Sequence, residues 1–236
     1  MKEKITNLTD KVYIELTEDL KHILGEKRKK ALEIVSLLNN WQIDAFVYGS
    51  IARGDISKNS DIDIMIPLPI SSMKLELALD TETILSRRIT QATPNHTPKA
   101  LISLPYDITI SFPLVNYRDR EEFFYDFGGK CSLMELHHDI FKPGVNKRLE
   151  LVEPKVEETI IGYYLSPIVD REPSIAKLLN ISLDIVNERV RVLTQRDAHG
   201  RRGIFLDRFL TPDEQFEKVL EALADRNVAL RRFLNR

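Results

Sequence analysis

The stretch Val47-Tyr-Gly-Ser-Ile-Ala-Arg-Gly-Asp-Ile-Ser-Lys-Asn-Ser-Asp-Ile-Asp-Ile-Met-Ile-Pro67 decides how this chain reads. A short apolar strand over residues 45–48 runs into Gly49-Ser50, and a basic, glycine-punctuated turn follows through Arg53 and Gly54. Asp61 and Asp63 then stand two residues apart on a second apolar strand, among Ile62, Ile64 and Ile66. Side chains alternate along a strand, so both carboxylates share one face. Successive backbone N–H groups in a glycine turn suit phosphate oxygens. Magnesium is held by one or two carboxylates together with substrate phosphates. The stretch therefore predicts a metal-dependent nucleotide site.

Outward from it, residues 1–40 are expected to be helical, because Ala31, Ile34, Val35 and Leu38 follow the spacing of one buried helix face. Pro67 and Pro69 end the second strand. Residues 75–89 are read as a further helix and residues 94–98, with two prolines, as a loop. From Tyr106 to Phe112 the chain alternates strictly, with Asp107, Thr109 and Ser111 on one face and Ile108, Ile110 and Phe112 on the other, the pattern of a half-buried strand. Between residues 115 and 154 the pattern is poor. Gly128-Gly129-Lys130 lacks the spacing of a P-loop and is discounted as one. Adjacent His137 and His138 point about 100° apart on a helix, which disfavours a shared metal.

After Pro154 the reading changes. A short helix at 174–179, a tight turn at Asn180-Ile-Ser182, a helix over 183–195, a basic hairpin-like piece at 199–203 and an apolar strand at 204–206 follow in order. That order describes a winged helix-turn-helix. The expected division is a first domain over 1–155 and a second over 156–236, with residues 156–170 as connector. On the 183–195 helix, Asn187, Arg191 and Gln195 oppose Ile185, Val186, Val190 and Leu193, so they are the candidates to touch base edges or phosphates, continued by Arg201 and Arg202. Six arginines against two aspartates between Arg189 and Arg208 leave a local excess of four positive charges, a candidate phosphate footprint. The end of the chain, with Phe216, Leu220 and Leu223 on one edge, reads as one or two amphipathic helices.

The 236 residues, 43% hydrophobic and 30% charged, are those of a globular protein of one large or two small domains. A formal charge of −2 gives the whole molecule no electrostatic pull toward nucleic acid. The single cysteine, Cys131, excludes an internal disulfide framework. No apolar run is long enough to span a bilayer and the N-terminus lacks a signal-peptide core, so no membrane partner and a cytoplasmic location are expected.

Gly49-Ser50, Arg53-Gly54 and Ser60-Asp61-Ile62-Asp63 resemble the signature of the nucleotidyltransferase superfamily typified by DNA polymerase beta, closest in style to its minimal prokaryotic members. The resemblance implies an α/β (α+β) fold, a mixed sheet with flanking helices, here followed by the small helical winged-helix domain. It implies transfer of a nucleoside monophosphate from a nucleoside triphosphate to a hydroxyl acceptor, with release of pyrophosphate, using two Mg²⁺ ions. Asp61 and Asp63 would bridge the ions, and a third carboxylate from a neighbouring strand, for which Asp107 is the candidate, would complete the site. Gly49, Ser50, Arg53 and Ser60 would meet the nucleotide, Arg53 either clamping phosphate or pairing with a nearby acid. The expected partners are the triphosphate and, through the C-terminal domain, nucleic acid; monomer and dimer are both left open. Two other readings stand beside this one: a nucleotide-sensing DNA-binding regulator with little turnover, and an adenylyltransferase acting on a protein or small molecule.

Overall fold

The computed structural model describes residues 5–80, 82–118, 120–157, 160–199 and 203–234. Along the chain run β1 (Val12–Glu15), α1 (Glu18–Asn40), β2 (Phe46–Tyr48), α2 (Ser50–Arg53), β3 (Ile62–Met65) and α3 (Ser72–Ala78). Then come β4 (Ser86–Gln91), β5 (Lys99–Leu104), β6 (Ile108–Pro113), α4 (Phe123–Gly128), β7 (Lys130–Cys131), α5 (Leu133–His137) and β8 (Gly144–Val145). The last are β9 (Glu150–Glu157), β10 (Ile160–Pro167), α6 (Glu172–Leu179), α7 (Leu183–His199), β11 (Leu206–Phe209), α8 (Phe216–Arg226) and α9 (Val228–Leu234). Contacts group the chain into two compact units: Met1–Leu32, Val47–Ser60 and Glu122–Arg202 form one, and Glu33–Phe46, Asp61–Glu121 and Gly203–Arg236 the other.

In the first unit, β1, β10, β9 and β8 form an antiparallel sheet, and β2 pairs with β7 through Val47↔Cys131 and Tyr48↔Lys130. The stretch 156–170, expected as a connector, is instead largely strand. All eight residues of β10 pair with β9, from Ile160↔Glu157 to Pro167↔Glu150, so the ladder gives every one of them a partner. The cut expected near residue 155 falls inside β9. Packed together are Phe127, Val145, Leu149, Leu151, Ile168, Ile175, Ala176 and Val186. Helix α6 opens on a proline in its first turn and closes on Asn180 in the left-handed region, a stop that sets the tight turn before α7.

The second unit is built on the strand order β11-β4-β5-β6-β3. It is a mixed sheet: β3 runs parallel to β6 and the other neighbours are antiparallel. Ile62, Ile64, Ile108, Ile110, Phe112, Ala100, Ile102 and Ile89 project to one face, and none exceeds 1% exposure. The helix expected over 75–89 stops at Ala78, and the chain re-enters as β4. Pairing with β5 from Ser86↔Ser103 to Thr90↔Lys99 overrides the helical reading, and buried Arg87 is drawn in by Glu76 of α3 at 2.8 Å. The apolar strand expected over 204–206 lies further along: β11 begins at Leu206 and hydrogen-bonds to β4, closing a sheet edge. Phe216 and Leu220 of α8 are buried as the amphipathic pattern requires. Among the described residues, no helix is long and apolar enough to cross a membrane.

Candidate active site

Gly49 turns the chain from β2 into α2 with φ 80° and ψ −145°, a backbone state open to glycine and strained for other residues. A Cβ at Gly49 would meet nothing within 4 Å, so the conformation, not crowding, demands glycine here. The Gly49 N–H donates to the Gly129 carbonyl at 3.0 Å and the Gly49 carbonyl accepts from Arg53 N–H at 3.0 Å. Ser50 is half-buried at the start of α2. Ser60 closes the following loop, its hydroxyl accepting from Ser57 N–H at 2.9 Å, with Lys58 and Asn59 exposed at the tip.

Arg53 does not reach out as a phosphate clamp. It is 6% exposed, its Nε and Nη2 donate to the two carboxylate oxygens of Asp55 at 2.9 and 3.1 Å, and its Nη1 donates to the Gly128 carbonyl. A bidentate fork of this kind is the strongest use a guanidinium has for its donors, which is why the acid two residues on captures it. Burial pushes the Asp55 carboxyl up, and the Arg53 charge opposes that rise.

Behind the turn lies a layer that the sequence pattern did not disclose. Arg28 of α1, 4% exposed, donates through Nη1 to the Ile51 carbonyl at 3.1 Å and through Nη2 to the Ile140 carbonyl at 3.0 Å, and stacks 4.2 Å from the Phe141 ring centre. Lys142 N–H donates to the Ala52 carbonyl at 2.9 Å. Buried Cys131, its thiol pushed up to about 11 by burial, lies against the Ala52 and Ile140 carbonyls. Gly128-Gly129 packs so closely that a Cβ on Gly129 would lie 2.9 Å from Arg53 Cγ, and one on Gly144 would lie 2.5 Å from Gly129 N. Two signals were present in the sequence: an arginine on the apolar stripe that continues through Ala31 and Val35, and glycines clustered in an otherwise poor stretch.

Asp61 lies exposed just before β3, and half-buried Asp63 lies on it, with Ile62 and Ile64 facing the core at 1% and 0% exposure. On the neighbouring parallel strand the residue level with Asp63 is Thr109, and Ile62 pairs with Ile108. The row continues through Thr109↔Ser103 and Ser103↔Ser86. Asp107 lies one residue ahead of β6, in the turn that joins β5 to it. Tyr106 and Asp107 both take positive φ, 63° and 57°, and the Asp107 carbonyl accepts from Ile62 N–H at 2.9 Å. Aspartate tolerates that backbone state better than most residues. Ser111, expected on the same wet face, is buried and donates to the Ile64 carbonyl at 3.4 Å. Among the described residues, no three His, Cys, Asp or Glu side chains come together as a metal site. Asp61 and Asp63 fit a carboxylate pair that shares a cation with substrate phosphates, and the register of β3 on β6 sets Asp107 level with Asp61.

On α7 the expected division of faces holds: Asn187, Arg191 and Gln195 are exposed, while Ile185 and Val186 are buried. The arginine excess is smaller in space than in sequence. Arg189 lies 4.4 Å from the Phe124 ring centre, with burial pulling its pKa down to about 10. Arg208 pairs with Glu214 at 2.5 Å. Asp184 and Glu188 stand exposed along the same helix. Arg201 and Arg202 lie outside the described residues.

Residues 28–126, the stretch that holds Gly49 through Asp107, match the family model described as "Nucleotidyltransferase domain". The mixed sheet and flanking helices agree with that fold. Among solved structures, a chain of the "structure of GLD-2/RNP-8 complex" matches at 19% identity and a TM-score of 0.23, over 41% of this chain and 43% of that one. No curated protein matches.

Proposed function

We propose that this chain is a nucleotidyltransferase that uses a divalent cation to move a nucleoside monophosphate from a nucleoside triphosphate onto a hydroxyl of its acceptor. The observation that carries the reading is the pair Asp61 and Asp63, two residues apart where β3 begins, with Ile62 and Ile64 sealed into the core behind them. In the reaction the acceptor oxygen bonds to the α-phosphorus, the bond to the β-phosphate oxygen breaks, pyrophosphate leaves and the hydroxyl proton passes to solvent. A bound Mg²⁺ supplies Lewis-acid neutralisation of the charge that builds on the phosphate. Asp61 and Asp63 are the residues to hold it. Ser50 and Ser60 offer hydroxyls to the nucleotide, and the fixed backbone around Gly49 keeps Ser50 in place. The same proposal gives the exposed row Asn187, Arg191 and Gln195 to a nucleic-acid acceptor. Its support is their exposure on one side of α7, and Arg191→Ala should then weaken nucleic-acid retention and flatten its salt dependence.

The test is incubation with each α-labelled nucleoside triphosphate, Mg²⁺ and candidate acceptors, run beside Asp61→Asn and Asp63→Asn. Loss of about 4 kcal/mol of transition-state stabilisation corresponds to a drop of about a thousand-fold in label transfer. Equal labelling by parent and variants would overturn the assignment.

A further inference from the structure

Resting on the nucleotide reading above, we infer that the open face of β5, β4 and β11 is the track of a single-stranded nucleic-acid acceptor, with Phe209 stacking a base and Arg88 and Lys99 meeting phosphates. The sheet sorts its two faces cleanly. Along β4 and β5 half-buried residues alternate with buried ones, and along β11 half-buried residues alternate with exposed ones. Arg87, Ile89, Ala100 and Ile102 are buried on one face, which leaves Arg88, Thr90, Lys99 and Leu101 on the other. That second face is the one Asp63 shares, since Ile62 and Ile64 beside it are sealed in the core. The row level with Asp63 runs through Thr109, Ser103 and Ser86, all half-buried. One row on, Met65 and Ser111 are buried, Leu101 and Arg88 are half-buried, and Phe209 is 58% exposed, so the face opens toward β11. Strand β11 lies four places from β3 in the sheet, about 19 Å at the usual strand spacing. That is room for several nucleotides between the carboxylates and Phe209.

The side chains on this face suit that occupant. The Arg88 guanidinium lies 5.7 Å from the Phe209 ring centre. An open sheet that offers an aromatic ring with a cation beside it takes bases by stacking and phosphates by charge. Arg88 also meets Asp207 at 3.5 Å. A surface pair of this kind contributes little, so a phosphate can compete for the guanidinium. Lys99, whose Nζ is 5.1 Å from the Tyr117 ring centre, adds a second cation. Arg88 and Lys99 against Asp207 leave this face positive on a chain whose formal charge is −2. A duplex keeps its bases stacked on one another, which leaves Phe209 no base face to cover. The occupant is therefore a single strand.

Fluorescence anisotropy of labelled oligoadenylate, titrated into the full chain as a single strand and as a duplex with oligouridylate, tests the track. The single strand is expected to bind more tightly. Phe209→Ala should weaken it about ten-fold, the loss of one base stack, and Phe209→Tyr should restore it. Arg88→Gln should lower the salt dependence of log affinity by about one in slope. Asp207→Asn, which releases Arg88, should tighten binding, a gain that a merely structural role for the pair would not give. Should Phe209→Ala fail to fold, the Arg88 and Asp207 variants still decide. No retention of the single strand by the parent, a preference for duplex, or parental affinity in folded Phe209→Ala and Arg88→Gln would overturn the inference. Binding of α,β-methylene ATP with Mn²⁺, measured without oligonucleotide, tests the nucleotide reading separately. Its absence would bring down that reading, whereas its presence beside any of the failures above would strike the track alone.

Discussion

The turn at Gly49–Arg53 and the strand start at Asp61–Asp63 begin twelve residues apart in sequence and are built on opposite plans. The turn is over-determined: carbonyls of Gly49, Ile51 and Ala52 are each claimed by a donor, from Arg53, Arg28 and Lys142. Its one cation, Arg53, is buried and committed to Asp55 and Gly128. The strand start has its apolar half sealed in the core and its acidic half at or near the surface. Where a function needs a backbone shape, interior packing can hold that shape. Where it needs negative charge for an incoming cation, burying the charge would cost more than most packing returns. Damage to the turn should therefore appear first as lost stability, and damage to the carboxylates as lost activity.

The sharpest break of that contrast is Arg53→Met. It leaves the buried Asp55 carboxylate uncompensated and should cost about 3–5 kcal/mol in chemical denaturation, whereas Asp61→Asn should stay within about 0.5 kcal/mol of the parent. Similar losses for both variants would erase the distinction. Gly144→Ala comes next: its Cβ would lie 2.5 Å from Gly129 N, a backbone atom that cannot yield easily. Overpacking of this kind costs about 1–3 kcal/mol, and weakened nucleotide binding alongside it would tie the glycine layer to the turn it supports.

Asp107 allows a finer cut. A β-branched side chain at φ 57° is strained, so Asp107→Val should lose about 1–2 kcal/mol while Asp107→Asn loses little, as thermal melts of the two would show. The smallest effect concerns pH. Burial raises the Asp55 pKa above its ordinary 3.8. Between that value and the raised one, the folded state binds more protons than the unfolded chain, so this group's contribution falls as pH rises through the window and is fully favourable only below it. Asp55→Asn should remove that slope from the stability–pH curve; a difference curve that is flat, or that rises with pH, would contradict the assignment.

The helical C-terminal stretch shows where charge counting misleads. Helix α7 was legible from its apolar spacing, and its exposed face is the one the pattern marks. The arginines are another matter. Arg189 rests on Phe124 and its Nε is buried without a hydrogen-bond partner, and Arg208 is bound to Glu214. A sum over the sequence registers charge but not the partner that already holds it. An apolar strand over 204–206 reads as a wing because it follows a helix-turn-helix, yet the strand here starts at Leu206 and its hydrogen bonds go to β4, more than a hundred residues earlier.

By itself, the sequence determined the features that depend on local periodicity and backbone chemistry. These are the buried stripe of α1, the apolar core face shared by β3 and β6, the glycine turn at Gly49 and the spacing of Asp61 and Asp63 where β3 begins. Tertiary structure decided what depends on a distant partner: that 86–91 is strand and not helix, that β10 is strand and not linker, that Arg53 serves Asp55, and that Thr109 and not Asp107 lies level with Asp63. The physical reason is the range of the forces. Side-chain alternation and glycine's conformational freedom act within a few bonds, whereas ladder register and the pairing of buried charge are settled only when segments far apart in the chain are brought into contact.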